Sequence, residues 1–113
     1  MGKTLEIRSD FVDALNNLGW VLATYPESWI RNGPRAIALA ERAHQLSGDK
    51  DPAILRTLAA AYAENGRFAE ALDIAQRGIQ LAKTQGNYAL ADILEGDIAL
   101  YRANTPVRTA VQP

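Results

Sequence analysis

The chain has 113 residues, 48% of them hydrophobic and 22% charged, with 12 Lys and Arg against 13 Asp and Glu and a formal net charge of -1. That length fits one small domain with one core. The near-balanced charge argues against a general affinity for nucleic acid or anionic membrane, and the absence of cysteine excludes disulfide scaffolds, thiolate zinc sites and cysteine nucleophiles.

The first predicted element is a helix over about 11–24. Phe11, Leu15, Leu18 and Leu22 recur at helical spacing and form one stripe, and Asp10 is placed to cap its start. YPESWIRNG, residues 25–33, interrupts the pattern. Pro26 suits the start of a short helical turn and Asn32-Gly33 its end, while Trp29 is expected to fold back with Ile30 over the gap between helices. Pro34 suits the first turn of a second helix, whose apolar face is Ile37, Leu39, Ala40, Ala43 and Leu46.

Asp51-Pro52 opens a third helix with a capping side chain and a ring preset for the first turn. Leu55, Leu58, Ala59 and Tyr62 form its face, and Asn65-Gly66 ends it. The fourth helix is expected from about Arg67 to Thr84, with Phe68, Ala71, Leu72, Ala75, Ile79 and Leu81 on its apolar stripe. Gly86-Asn87 separates it from a last helix, Tyr88 to about Arg102, on which Asp92, Glu95, Asp97 and Arg102 are expected to face water. Residues 104–113 show no helical pattern and are expected to form a flexible tail. No segment shows strand alternation, so the expected fold is all-α.

The helix pairs repeat. DALNNLGWVLA (13–23) aligns with AILRTLAAAYA (53–63), and AIALAERAHQL (36–46) with ALDIAQRGIQL (71–81). The offsets are 40 and 35, so the first copy carries five extra residues, all within 25–33. The opening TLEIRSDF has the look of the end of a preceding second helix. Leu5, Ile7 and Phe11 would then form an apolar N-terminal face, open to a preceding unit or to a second copy of the chain.

Leu55, Leu58, Ala59, Tyr62, Gly66, Phe68, Ala71, Ala75 and Gly78, with Leu15, Leu18, Gly19, Leu22, Ala36, Ala40 and Ala43 in the earlier copy, resemble the tetratricopeptide repeat family. The likeness covers roughly residues 4–82. The run from NNLGWVLATYPESW to ALYRANTPVR is also similar to the last units of long bacterial tetratricopeptide proteins, some attached to glycosyltransferase or membrane regions. The resemblance implies a right-handed α-solenoid over 1–103: units of about 11–47 and 51–85 and a capping helix at about 88–102.

It also implies a concave groove lined by the first helix of each pair, where family members bind peptides or protein segments. By matching position, the groove residues are Asp13, Asn16, Asn17, Trp20 and Thr24 from the first unit and Arg56, Ala60 and Glu64 from the second. The amides of Asn16 and Asn17 and the Arg56 guanidinium are donors suited to a carboxylate or peptide backbone. The expected function is therefore a protein-interaction module. The alternative is a capping or self-associating segment of a longer array with no ligand of its own.

Close stacking needs small side chains where helices cross. Ala59 and Gly19 are expected there, with Ala71 and Ala75 opposite. His44 is the single histidine and is expected at the surface. Asp49 and Asp51 lack the oxygen count and closing Glu of a calcium loop, and no phosphate loop, nucleophile elbow or metalloprotease motif is present. No catalytic residue, cofactor or metal is expected, and the chain is not expected to be an enzyme. No apolar run reaches the roughly 18 residues of a membrane span. With no signal segment in this sequence, the expectation is a soluble chain, cytoplasmic or periplasmic, with no nucleic-acid partner.

Overall fold

The structure is a computed structural model that describes residues 2–109, with side chains described for 10–109. Five helices follow one another: α1 Gly2–Thr24, α2 Gly33–Leu46, α3 Pro52–Glu64, α4 Phe68–Thr84 and α5 Tyr88–Arg102. No strand occurs among the described residues. None of the described helices is long and apolar enough to cross a membrane.

The helix ends show the local chemistry at work. The Asp51 carboxylate accepts from the Ala53 N–H at 2.9 Å, and Pro52, which has no N–H to satisfy, occupies the first helical position. Gly66 and Gly86 both take φ of 76°, which lets the chain leave α3 and α4 without the clash that a Cβ would meet. Two expected boundaries are corrected. α1 runs without a break through Asp10, so Asp10 is interior rather than a cap, and TLEIRSDF is the front of α1 rather than the end of a separate helix. Asn32, expected to end a turn, instead caps α2: its side chain accepts from the Arg35 N–H at 3.1 Å. A free amide oxygen beside unpaired helix-start N–H groups makes either assignment local, and the turn of the preceding loop selects this one.

Each helix packs on the next, and α1 also touches α3 as α3 touches α5. The odd-numbered helices are therefore neighbours in one layer, and α2 and α4 each pack on two of them. Ala59, Ala71 and Ala75 are fully buried in a core completed by Leu55, Leu58, Ile79, Leu94 and Tyr101. Gly19 lies where three helices meet: a Cβ built on it would stand 3.4 Å from Thr57 Cγ2, 3.5 Å from Ala36 O and 3.6 Å from Ala40 N. A second cluster, Ala23, Ala36, Ala60 and Ala61, joins α1, α2 and α3 beside Trp20.

The segment 25–32 differs from expectation at Trp29, which is 79% exposed, whereas Ile30 is half-buried. What fastens the loop is polar. Arg31 donates through Nη1 to the carbonyls of Tyr25 and Pro26, at 2.7 and 2.9 Å, and the Asn32 N–H reaches Leu22 O at 2.9 Å. Those bonds leave no need for the indole as a cover.

After α5 the chain turns back on itself. Asn104 adopts φ of 54°, the Thr105 N–H donates to Leu100 O at 2.9 Å, and Val107 enters the core with 7% of its surface exposed. Thr109 reaches α1, its N–H donating to Thr24 O at 2.9 Å. The region expected as a flexible tail from 104 thus begins with a packed segment, because the last carbonyls of α1 lack intrahelical donors and one apolar side chain finds a dry site. Residues 110–113 and the side chains of Leu5 and Ile7 lie outside the described residues.

Candidate functional site

The eight residues expected in a groove fall on α1 and α3, in different environments. Asp13 and Asn17 are exposed. Asn16 is half-buried, with its Oδ1 out of contact with water and without a protein partner. Ala60 is 1% exposed and Thr24 fully buried, so neither presents a free surface.

Trp20 and Arg56 act together. Trp20 is half-buried against both core clusters, and the Arg56 guanidinium carbon lies 4.3 Å from its ring centroid. Arg56 continues to α5, donating from Nε to Asp97 Oδ2 at 2.8 Å and from Nη2 to Oδ1 at 3.3 Å. This forked contact ties α3 to α5 across the face. It also corrects the expectation for Asp97, which is buried rather than water-facing. Beside the pair, Tyr101 is 1% exposed and its hydroxyl has no hydrogen-bond partner among the described residues. Burial pushes the Tyr101 phenol far above its usual range, with the Asp97 carboxylate acting in the same direction and Arg56 against it.

Glu64 is the second polar centre. Its Oε2 accepts from Arg31 Nε at 3.0 Å, and its Oε1 lies 2.8 Å from Arg108 Nη2 without the alignment of a hydrogen bond. One carboxylate from the end of α3 therefore fastens both the 25–32 loop and the returning tail. Thr24, at the end of α1, completes the crossing: its hydroxyl donates to Trp20 O at 2.7 Å and lies 2.7 Å from the Thr109 hydroxyl. Arg108 Nη1 also approaches Ala23 O at 3.5 Å. Val107, Arg108 and Thr109 thus cover the ends of α1 and α3, while Asp13 and Asn17, further back on α1, are exposed among the described residues.

His44, expected at the surface, is mostly buried: its side chain is 15% exposed and Nε2 stands 3.0 Å from Asp49 Oδ1. Among the described residues, no group of three His, Asp or Glu side chains is close enough to hold a metal ion. Two clefts are lined by none of the eight residues expected in a groove. One is lined by Gln76, Ile79, Glu95, Ile98 and Arg102, the other by Asp49, Leu55, Arg77, Gln80, Leu81 and Thr84.

Comparison with protein-family models, with curated proteins and with solved structures found no match.

Sequence reasoning missed Arg31, Asp97, Val107, Arg108 and Thr109. Asp97 was within reach, since an acidic residue three positions after the buried Leu94 and next to Ile98 sits at the margin of the apolar stripe of α5. The other four lie in irregular segments, where periodicity carries no signal.

Proposed function

We propose that the chain is a protein-interaction module of the tetratricopeptide type, a short α-solenoid that takes an extended peptide segment across the α1, α3 and α5 layer. The observation that carries this reading is the path of its own residues 107–109, a non-helical segment that buries one side chain and bonds through backbone and side chain to the ends of α1 and α3. A surface that accommodates this geometry has what an extended ligand needs: an apolar site, a carboxylate and a free carbonyl. Asp13 and Asn17 offer exposed polar groups on the same helix for the rest of such a ligand. Selection of short random peptides on the immobilised chain tests the reading. Enriched peptides should lose affinity for the Asp13→Ala/Asn17→Ala double variant, whose stability is unchanged. Failure to enrich any peptide, or binding indifferent to both residues, would count against it.

A second reading, self-association or stacking in a longer array, is favoured by a separate observation. Phe11, Leu18 and Val21 on α1, with Tyr25 directly after its end, are all substantially exposed at helical spacing. In the internal alignment Val21 stands where Ala61 stands in α3, and Ala61 is fully buried in the α1, α2 and α3 cluster. By that correspondence, the stripe on α1 is the place where a preceding helix pair or a second copy would dock.

A further inference from the structure

We propose that the last turns of α1 and α3 form a subsite for a peptide that presents a branched apolar residue, an arginine and a hydroxyl residue in succession, and that the chain's own Val107-Arg108-Thr109 is its exchangeable resident. The inference rests on the interaction reading above and gives it a ligand chemistry and a mode of control.

Each of the three residues is read by a different feature. Val107 enters the core and is 7% exposed. Arg108 meets the Glu64 carboxylate at 2.8 Å and approaches Ala23 O. Thr109 gives its N–H to Thr24 O at 2.9 Å and pairs hydroxyl to hydroxyl with Thr24 at 2.7 Å. The accepting groups are fixed independently of the tail: Glu64 is held from its other oxygen by Arg31, and the Thr24 hydroxyl is anchored on Trp20 O. Without an occupant, the Thr24 carbonyl would keep no intramolecular donor at the end of its helix. The site is therefore built before the segment arrives.

The resident is nevertheless held loosely. Of its three residues only Val107 is buried; Arg108 and Thr109 keep much of their surface exposed even while they make these contacts. A short connection leads from Arg102 to Val107, so the tail faces its site at an effective concentration on the order of millimolar. A competing segment of the same chemistry has to overcome that local concentration, and the apparent affinity of the intact chain for it is correspondingly weak. Anything that lifts the tail exposes the site.

The test uses the full chain and a fluorescent peptide of sequence NTPVRTAVQP, which copies residues 104–113. In the R108E chain the tail sets a carboxylate against Glu64 and is weakened. The peptide should bind this variant at least about tenfold more tightly than the wild-type chain, as release of a competitor near millimolar effective concentration requires. The same peptide with glutamate in place of its arginine should bind neither chain. Circular dichroism and thermal unfolding of the R108E chain establish that it remains folded, and V107A serves as the weakened-tail chain if it does not.

Equal affinity for wild-type and weakened-tail chains overturns the proposal, as does equal binding of the glutamate peptide. If the tail peptide fails while random selection still yields groove-dependent ligands, this inference alone falls. If both fail, the interaction reading falls with it.

Discussion

Removing Arg56 and removing Asp97 should have unequal effects, because the members of the pair differ in burial: their side chains are 25% and 7% exposed. Arg56→Ala strands a buried carboxylate and is expected to cost about 3 kcal/mol, whereas Asp97→Ala leaves a guanidinium that can turn to water and costs less. Urea unfolding of the two variants checks the order, and equal losses would mean that the carboxylate finds another donor. Arg56→Ala is for the same reason unsuitable as a probe of binding at constant stability. Tyr101 makes the opposite case. Its hydroxyl is buried without a partner among the described residues, so Tyr101→Phe should be neutral or stabilising by up to about 1 kcal/mol at neutral pH. The pH dependence has a definite sign. A phenol whose pKa is raised in the folded state contributes nothing below the unfolded value of about 10, and destabilises the fold as pH rises above it, because the unfolded chain releases the proton first. Tyr62, raised chiefly by donating to Glu41 at 2.7 Å, adds in the same direction. Alkaline unfolding should therefore be shifted to higher pH in Tyr101→Phe, whereas Tyr62→Phe, which gives up the Glu41 hydrogen bond, should lose stability at neutral pH and show a flatter alkaline pH dependence.

At the level of elements, the small residues separate positions with room for a methyl group from positions with none. Gly19→Ala places its Cβ at ordinary contact distance from Thr57 and the α2 backbone, so the gain in helix propensity, about 1 kcal/mol, should survive as a higher melting temperature. Ala71→Leu, at a fully buried position between packed helices, should instead lose about 1 to 3 kcal/mol by overpacking. An unchanged melting temperature in Ala71→Leu would place α4 in a different register. The helices themselves were legible where their ends carry local chemistry. Asp51-Pro52, Gly66 and Gly86 all stop or start a helix as the residues require. At Asp10 and Asn32 reading failed, because a side chain able to cap a helix caps one only where the backbone ends, and tertiary packing fixes that point.

For the whole molecule, the open stripe of α1 sets the expected behaviour in solution. If Phe11, Leu18, Val21 and Tyr25 receive a second copy, sedimentation should show association that grows with concentration and is abolished in Leu18→Glu/Val21→Glu. A chain that stays monomeric at all concentrations leaves the peptide-binding reading as the stronger of the two. Trp29, exposed on the loop next to this helix, offers a local fluorescence signal for such contact.

The amino-acid sequence by itself determined the all-helical architecture, four of the five helix starts to within a residue or two, and the burial of Ala59, Ala71 and Ala75, because periodicity, caps and turn glycines act over a few residues. Only the tertiary structure decided that Arg56 is tied to Asp97, that Glu64 serves both Arg31 and Arg108, and that the C-terminal segment returns to the ends of α1 and α3. These contacts join residues 33 to 85 positions apart, and no local pattern specifies which charge will meet which across that distance.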